Sequence, residues 1–286
     1  MNADSRMTRV IEFALLEDSG LGDVTTEAIF PDGQSGAGEI LIKENGIVAG
    51  ISAAQLVFEI CDSSVQFFPL IADGELASKG SVVARVEGDI RSILRAERVA
   101  LNILQRMSGI ATITRRYVEA VAGTRARITD TRKTAPGLRV FDKWAVQLGG
   151  GVNHRFGLDD MILIKDNHIA AAGSITRALL LCNEYLKARK LSIPIEVETS
   201  NLAEVEEALQ CGGFQRIMLD NFNTENLRNA VIRIDRKHEV EASGGITLET
   251  VRSCAEAGVD FISVGALTHS PRSLDLSLDV AWISAP

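Results

Sequence analysis

Hydrophobic and polar positions alternate along this chain in three successive regimes. From Ser5 to Glu17, Val10, Ile11, Phe13, Ala14 and Leu16 recur at helical spacing, which predicts an amphipathic helix. A turn-rich stretch, Asp18 to Asp23, follows with two glycines. From Gly38 to Arg91 the apolar runs become short and are broken by glycine: GEILIKENGIVAG, VQFFPL and SVVARVEG. These predict strands of an antiparallel or mixed sheet. RSILRAERVALNILQRMSG then reads as a helix ended by Gly109, with a second helix expected from Ile113 to Ala122.

In the third regime, strand-length apolar runs alternate with helix-length segments. The runs are ARITDTRK, MILIKDNH, IPIEVETS, RIMLDNF, EVEASGGI and FISVGALT. Such alternation predicts βα units and a parallel sheet. The runs read as apolar nearly throughout, the pattern of strands covered on both faces. Six strands are too few for a closed eight-stranded barrel. The expected fold class is therefore α/β, in which an open, incomplete (β/α) barrel in the second part of the chain fits better than the alternative, a doubly wound sheet.

Each of these runs ends in a charged or glycine-rich group: Arg132-Lys133, Lys165-Asp166, Glu198, Asp220, Ser243-Gly244-Gly245 and Gly265. Ligand sites of parallel α/β folds lie at the C-terminal ends of the strands. Strand ends that merely return to polar loops would carry mixed polar residues at both ends, not lysines, carboxylates and paired glycines in register.

Composition narrows the class. The chain has 286 residues, 46% apolar and 24% charged, which suits a globular protein and argues against disorder. No run of about 18 apolar residues predicts a membrane span, and the N-terminal stretch lacks the pattern of a signal peptide. Cys61, Cys182, Cys211 and Cys254 form no CxxC pair, so reduced thiols and a cytoplasmic location are expected. The net charge of −8 argues against a general nucleic-acid binder. From Arg98 to Lys165, however, 12 Lys or Arg face 5 Asp or Glu, a local excess of seven positive charges. Arg115, Arg116, Arg125 and Lys143 are expected on solvated helix surfaces. The remaining cations point to a focused anion site.

Five constellations carry the candidate chemistry. In TDTRKTAPGLR, Arg132 offers a planar fork for carboxylate or phosphate and Lys133 a point charge. In GGGVNHRFGL, three glycines permit close backbone approach and precede Asn153, His154 and Arg155; His154 reads either as an anion ligand or as a structural histidine. In MILIKDNHI, Lys165 follows four apolar residues, so its ammonium must find an anion, with Asp166 and His168 beside it. Glu198 and Asp220 suggest Mg²⁺ held by one or two carboxylates, or alternatively salt bridges to the lysines. ASGGI and SVGALTHS end the last two strands with glycines whose backbone N–H groups suit a phosphate.

Taken in order, ERVALNILQRMSGIAT, TDTRKTAPGLR, GGGVNHRFGL, LIKDNHI, EVE, LDNF, ASGGI and SVGALTHS resemble the quinolinate phosphoribosyltransferase family, and EDSGLGDVTT matches its usual opening. The resemblance covers nearly the whole chain. It implies an N-terminal α/β sandwich domain (1–108, rejoined by the tail 271–286) and a catalytic open α/β barrel (109–270), the type II phosphoribosyltransferase arrangement. It implies a homodimer or an assembly of dimers with the active site at the subunit interface. The implied reaction joins quinolinate to phosphoribosyl pyrophosphate, giving nicotinate mononucleotide, CO2 and pyrophosphate, with Mg²⁺ and no organic cofactor. By the same resemblance Arg132, His154, Arg155 and Lys165 hold the quinolinate carboxylates, and Arg98 reaches in from the partner subunit. Lys133 lies near the pyrophosphate or the reacting centre, Glu198 and Asp220 hold the ribose hydroxyls and Mg²⁺, and Ser243, Gly244, Gly245, Gly265 and Ala266 bind the 5′-phosphate. Rival readings are a paralogue of the same fold associated with molybdenum transport, a Schiff-base aldolase using Lys165 or Lys133, and a non-enzymatic phosphoribosyl pyrophosphate sensor.

Overall fold

The structure is a computed structural model, which describes residues 5–283. Twelve strands occur among the described residues. In chain order they are β1 (Ser35–Ile42), β2 (Gly46–Ile47), β3 (Gln66–Pro69), β4 (Leu76–Ala77), β5 (Val82–Asp89), β6 (Arg127–Thr129), β7 (Ile162–Ile164), β8 (Ile195–Thr199), β9 (Arg216–Asp220), β10 (Glu239–Ser243), β11 (Phe261–Ser263) and β12 (Leu276–Ile283). The chain divides into two compact units. The first takes the chain up to Arg115, Thr134–Gly150, and the chain from Leu267 onward; the second takes Arg116–Lys133 and Gly151–Ala266.

In the first unit, β12, β1, β5 and β3 form an antiparallel sheet in that order, and β2 pairs with β4. The helix Ile51–Cys61 starts at Gly50, whose φ of 100° suits glycine. Its first free amides are capped from a distance: Asp73 accepts from the backbone N–H groups of Gly50, Ile51 and Ser52.

The predicted pair of helices around Gly109 is one continuous helix, Ile90–Ala120. Ile93, Ala96, Ala100, Leu104, Met107 and Ala111 are fully buried along it at three- and four-residue spacing. Gly109 does not end it. A Cβ there would lie 2.1 Å from the carbonyl oxygen of Arg272, so this glycine admits a crossing backbone segment. The first glycine of the triplet acts the same way, since a Cβ on Gly149 would meet the Ala111 carbonyl oxygen at 2.5 Å.

Lys143, expected on a solvated surface, is 1% exposed. The helix Arg139–Leu148 buries Val140, Phe141, Asp142, Lys143, Ala145 and Val146, which leaves it little surface of its own. Asp142 ties it to the long helix, accepting from Arg106 Nε at 2.7 Å and Nη2 at 2.8 Å.

The second unit holds the six predicted parallel strands in the order β6-β11-β10-β9-β8-β7. The sheet is open, as expected: β6 and β7 are its edges, and Val152 forms an isolated parallel bridge to Thr129 of β6. The strands are not apolar throughout. They alternate with period two. Ile128, Val197, Ile217, Leu219, Val240, Ala242 and Ile262 form one buried apolar face. The opposite face carries Thr129, Glu196, Glu198, Arg216, Met218, Asp220, Glu241, Ser243 and Ser263. Short strands conceal this alternation in the sequence, because three or five residues hold at most three polar positions each.

Candidate active site

The polar face of the parallel sheet opens into a cavity of about 250 Å³ lined by Thr131, Arg132, Lys133, His154, Arg155, Leu163, Lys165, Glu198, Met218, Asp220, Glu241, Ser243 and Ser263. The strand ends deliver these groups. Arg132 and Lys133 follow β6, Lys165 follows β7, Glu198 is the penultimate residue of β8, and Asp220 and Ser243 end β9 and β10. Parallel register keeps the last two adjacent, with Asp220 paired to Ser243. Eight of the residues singled out from the sequence thus meet in one cavity.

Gly244 and Gly245 follow directly, with φ of 94° and 58°. A Cβ on Gly244 would lie 2.2 Å from Asn221 Oδ1, so no side chain fits there. Gly265 and Ala266 follow β11 at the start of the four-residue helix Ala266–His269. These four residues are not among those lining the cavity. Arg98 lies on the long helix of the first unit, its side chain 56% exposed and 3.6 Å from Glu97.

The predicted anion for Lys165 is Glu198: Nζ stands 2.6 Å from its Oε2. His168 fixes the lysine's backbone, since its Nδ1 accepts the Lys165 N–H at 2.9 Å. Arg155 anchors through Nη1 on the Met161 carbonyl at 3.1 Å. Its pKa lies below the ordinary value, through burial first and the neighbouring positive charge of Arg132 second. Two guanidiniums that disfavour each other's charge favour an anion bound between them.

His154 is buried, and its Nε2 stands 3.0 Å from Glu196 Oε2 and 3.5 Å from Glu241 Oε2. Burial pushes Glu196 up to about 7, against the pull of Arg216. Burial, and then the charge of Glu196, push Glu241 up to about 8. Sequence reasoning passed over both glutamates. The available signal was the spacing in EVE and EVEAS, which places Glu196 with Glu198, and Glu241 with Ser243, on one strand face. Among the described residues, His154, Glu196 and Glu241 are also the one trio spaced like metal ligands. Arg216 already stands beside it, with Nη1 3.2 Å from Glu241 Oε2.

A family model described as Quinolinate phosphoribosyl transferase, C-terminal domain, matches residues 110–279, and its N-terminal counterpart matches residues 23–108. The chain belongs to the quinolinate phosphoribosyl transferase family. Within that family it is 47% identical over 286 residues to "Quinolinate phosphoribosyltransferase [decarboxylating] 1b" of Nicotiana tabacum, covering 95% of this chain and 81% of the relative. It is 45% identical to "Probable nicotinate-nucleotide pyrophosphorylase [carboxylating]" of Synechocystis, covering 93% of this chain and 90% of that one. Other plant relatives are named as mitochondrial or chloroplastic. Among solved structures, that of NadC from Streptococcus pyogenes matches with a TM-score of 0.91 at 40% identity, covering 98% of this chain and 97% of that one. The two-part fold expected from the sequence is thus the fold of the family.

Proposed function

We infer that this chain transfers the phosphoribosyl group of phosphoribosyl pyrophosphate to quinolinate with decarboxylation, giving nicotinate mononucleotide, CO2 and pyrophosphate for NAD biosynthesis. Its relatives carry the names of this activity. The observation that carries the reading is one cavity in which Arg132, Lys133, Arg155 and Lys165 face Glu198, Asp220 and Ser243. Cations in such number suit two polyanionic substrates, and charge-assisted hydrogen bonds contribute about 1.5–3 kcal/mol each.

In this reading Arg132, His154, Arg155 and Lys165 hold the two ring carboxylates and aim the ring nitrogen at the ribose. Lys133 stands by the pyrophosphate or the reacting centre. Carboxylates of Glu198 and Asp220 receive the ribose hydroxyls and stabilise positive charge developing on the ribosyl carbon. The backbone at Ser243, Gly244, Gly245, Gly265 and Ala266 takes the 5′-phosphate, and the tight Gly244 turn supports a backbone cradle. Bond formation makes the ring nitrogen cationic. That charge stabilises the electron pair left on the ring carbon when the adjacent carboxylate departs as CO2, so no organic cofactor is required. The carbon then takes up a proton, and Lys165 or Lys133 assists the loss of CO2 or this protonation. Glu198 and Asp220 also fit Mg²⁺, which takes hard oxygen donors from a few carboxylates and substrate phosphates. Glu198 would share its charge with Lys165. When bound, the ion neutralises the leaving pyrophosphate.

The reading includes a homodimer, or an assembly of dimers, in which Arg98 of the partner subunit completes each site. Exposed Phe13, Leu16, Val24 and Ile29 on the helices Ser5–Ser19 and Val24–Ile29, with Leu21 in the turn between them, support a further covering surface. It also includes a cytoplasmic location, which four free cysteines support. No helix among the described residues is long and apolar enough to cross a membrane.

Incubation with quinolinate, phosphoribosyl pyrophosphate and Mg²⁺ tests the activity, with release of CO2 and nicotinate mononucleotide expected. Consumption of nicotinate in place of quinolinate overturns the reading. Mixing Arg98→Ala with Lys165→Ala protein tests the shared site. Each alone is expected to be inactive and the mixture partly active; a mixture as inactive as its parts removes Arg98 from the neighbour's site.

A further inference from the structure

Two glutamates without a part in the reaction stand behind the clamp. Glu196 on β8 and Glu241 on β10 are fully buried, and both face His154. The imidazole is held on its other side too. Its Nδ1 accepts the backbone N–H of Arg155 at 2.8 Å, and its own backbone N–H donates to Asp130 Oδ1 at 2.9 Å. A ring nitrogen that accepts an N–H carries no proton of its own, so the ring proton sits on Nε2, facing the two carboxyl groups.

The surroundings make this arrangement costly for folding. Both oxygens of Glu196, and Oε1 of Glu241, are buried and meet no well-aligned hydrogen-bond donor, although His154 Nε2 stands 3.0 Å from Glu196 Oε2 and Ser263 lies beside Glu241. Buried acceptors in that state destabilise a fold, and neutral side chains of similar size generally serve stability better. The other groups acting on the pair are Arg216 on β9, Ser263 on β11, and Arg155 and Lys165 at the cavity. A cation is therefore present already, and the trio has no need of a metal to balance its charge. Costly polar groups that adjoin a binding cavity point to a role in that cavity.

We propose that Glu196 and Glu241 are positioning residues for the dicarboxylate clamp. Through Nε2 they hold His154 as a neutral imidazole, and through Nδ1 the ring holds the Arg155 main chain, so that the Arg155 guanidinium meets the substrate at a fixed place. His154 then contributes orientation and not charge, so its part in holding the carboxylates is indirect, through Arg155; the positive charge of the clamp comes from Arg132, Arg155 and Lys165. The identity of the dicarboxylate rests on the quinolinate reading, whereas the state of the ring does not.

Nitrogen-15 NMR of histidine-labelled protein tests the ring directly. The chain has four histidines, and a His154→Asn variant assigns the signal. Expected is an unprotonated Nδ1 and a protonated Nε2 from about pH 6 to about pH 8. A protonated Nδ1, or an imidazolium in that range, overturns the proposal whatever substrate the enzyme uses. A second measurement uses Glu241→Gln. The quinolinate KM is expected to rise roughly tenfold, as for other residues that orient a ligand from behind. The phosphoribosyl pyrophosphate KM should stay within about twofold, and the melting temperature should hold or rise. A lower melting temperature with both KM values unchanged assigns Glu241 to structure alone and overturns its positioning role.

Discussion

The two units treat buried charge in opposite ways. In the first, Asp142 is fully buried, and both its oxygens are met by one guanidinium, with Arg106 Nε at 2.7 Å and Nη2 at 2.8 Å. Arg106 spends a remaining donor on the Thr268 carbonyl at 3.1 Å. In the second, Glu196 and Glu241 are equally buried, yet three of their four oxygens meet no well-aligned donor, even with His154 Nε2 3.0 Å from Glu196 Oε2. A satisfied buried pair joins elements of a fold. An unsatisfied one, placed where strand ends converge, belongs to a site that accepts instability for function. Variants on each side of this contrast should therefore separate stability from activity.

The largest effect is expected at the cavity. Lys165→Ala should lower kcat by roughly 10²–10⁴, the range for removing a group that assists proton transfer. Binding of phosphoribosyl pyrophosphate should change far less. Single-turnover kinetics beside direct binding of that substrate separate the two quantities, and unchanged turnover would remove Lys165 from the chemistry. Next comes the satisfied pair. Asp142→Ala leaves the Arg106 guanidinium without its partner and should cost about 3–5 kcal/mol of unfolding free energy. Denaturant titration reads that loss; a cost under about 1 kcal/mol would make the pair no stronger than a surface bridge.

Much of this contrast was legible in the sequence, and the rest was hidden for definite reasons. The six parallel strands, the open sheet and eight cavity residues follow from apolar runs that end in charge or glycine. Glu196 and Glu241 were hidden because their strands are short and the neighbouring apolar residues dominate the pattern. The alternation that exposes them becomes visible only once the sheet shows that one of its faces is polar. Lys143 reads as surface in the sequence because lysine usually is, while the helix bearing it is buried around most of its circumference. Gly109 reads as a helix end in the sequence because glycine usually breaks helices. What it answers to is a backbone 163 residues further on, a contact that no local pattern carries.

Gly109→Ala tests that last point and is expected to be a middling effect. The new methyl group meets a carbonyl oxygen, which yields less easily than a flexible side chain. Overpacking of this kind costs about 1–3 kcal/mol. Alanine's better helix propensity would otherwise stabilise the helix by up to about 1 kcal/mol. Thermal unfolding decides the sign: a more stable variant means that the segment at Arg272 moves aside at little cost.

The smallest effect concerns the pH dependence of stability, and its sign follows from the raised pKa of Glu241. The folded protein holds this proton up to about pH 8, whereas a free glutamate releases it near 4.5. Below the lower value both states are protonated and the group has no pH-dependent effect. Between the two values the unfolded chain has lost the proton and the folded one keeps it, so stability falls as pH rises. Above about 8 the cost is complete. Glu241→Gln carries no such proton, and its stability should fall less steeply between about pH 5 and about pH 7. The difference should amount to a few degrees in melting temperature, on the order of 2–4 °C per kcal/mol, because Glu196 beside it takes up part of the titration. Arg106 and Asp142 offer the control: restoring Glu241 restores the slope, whereas Asp142→Asn should lower stability without producing one. If the wild-type protein instead grows more stable from pH 5 to pH 7, the pair behind His154 is ionised in the folded state, and the contrast between the two units dissolves.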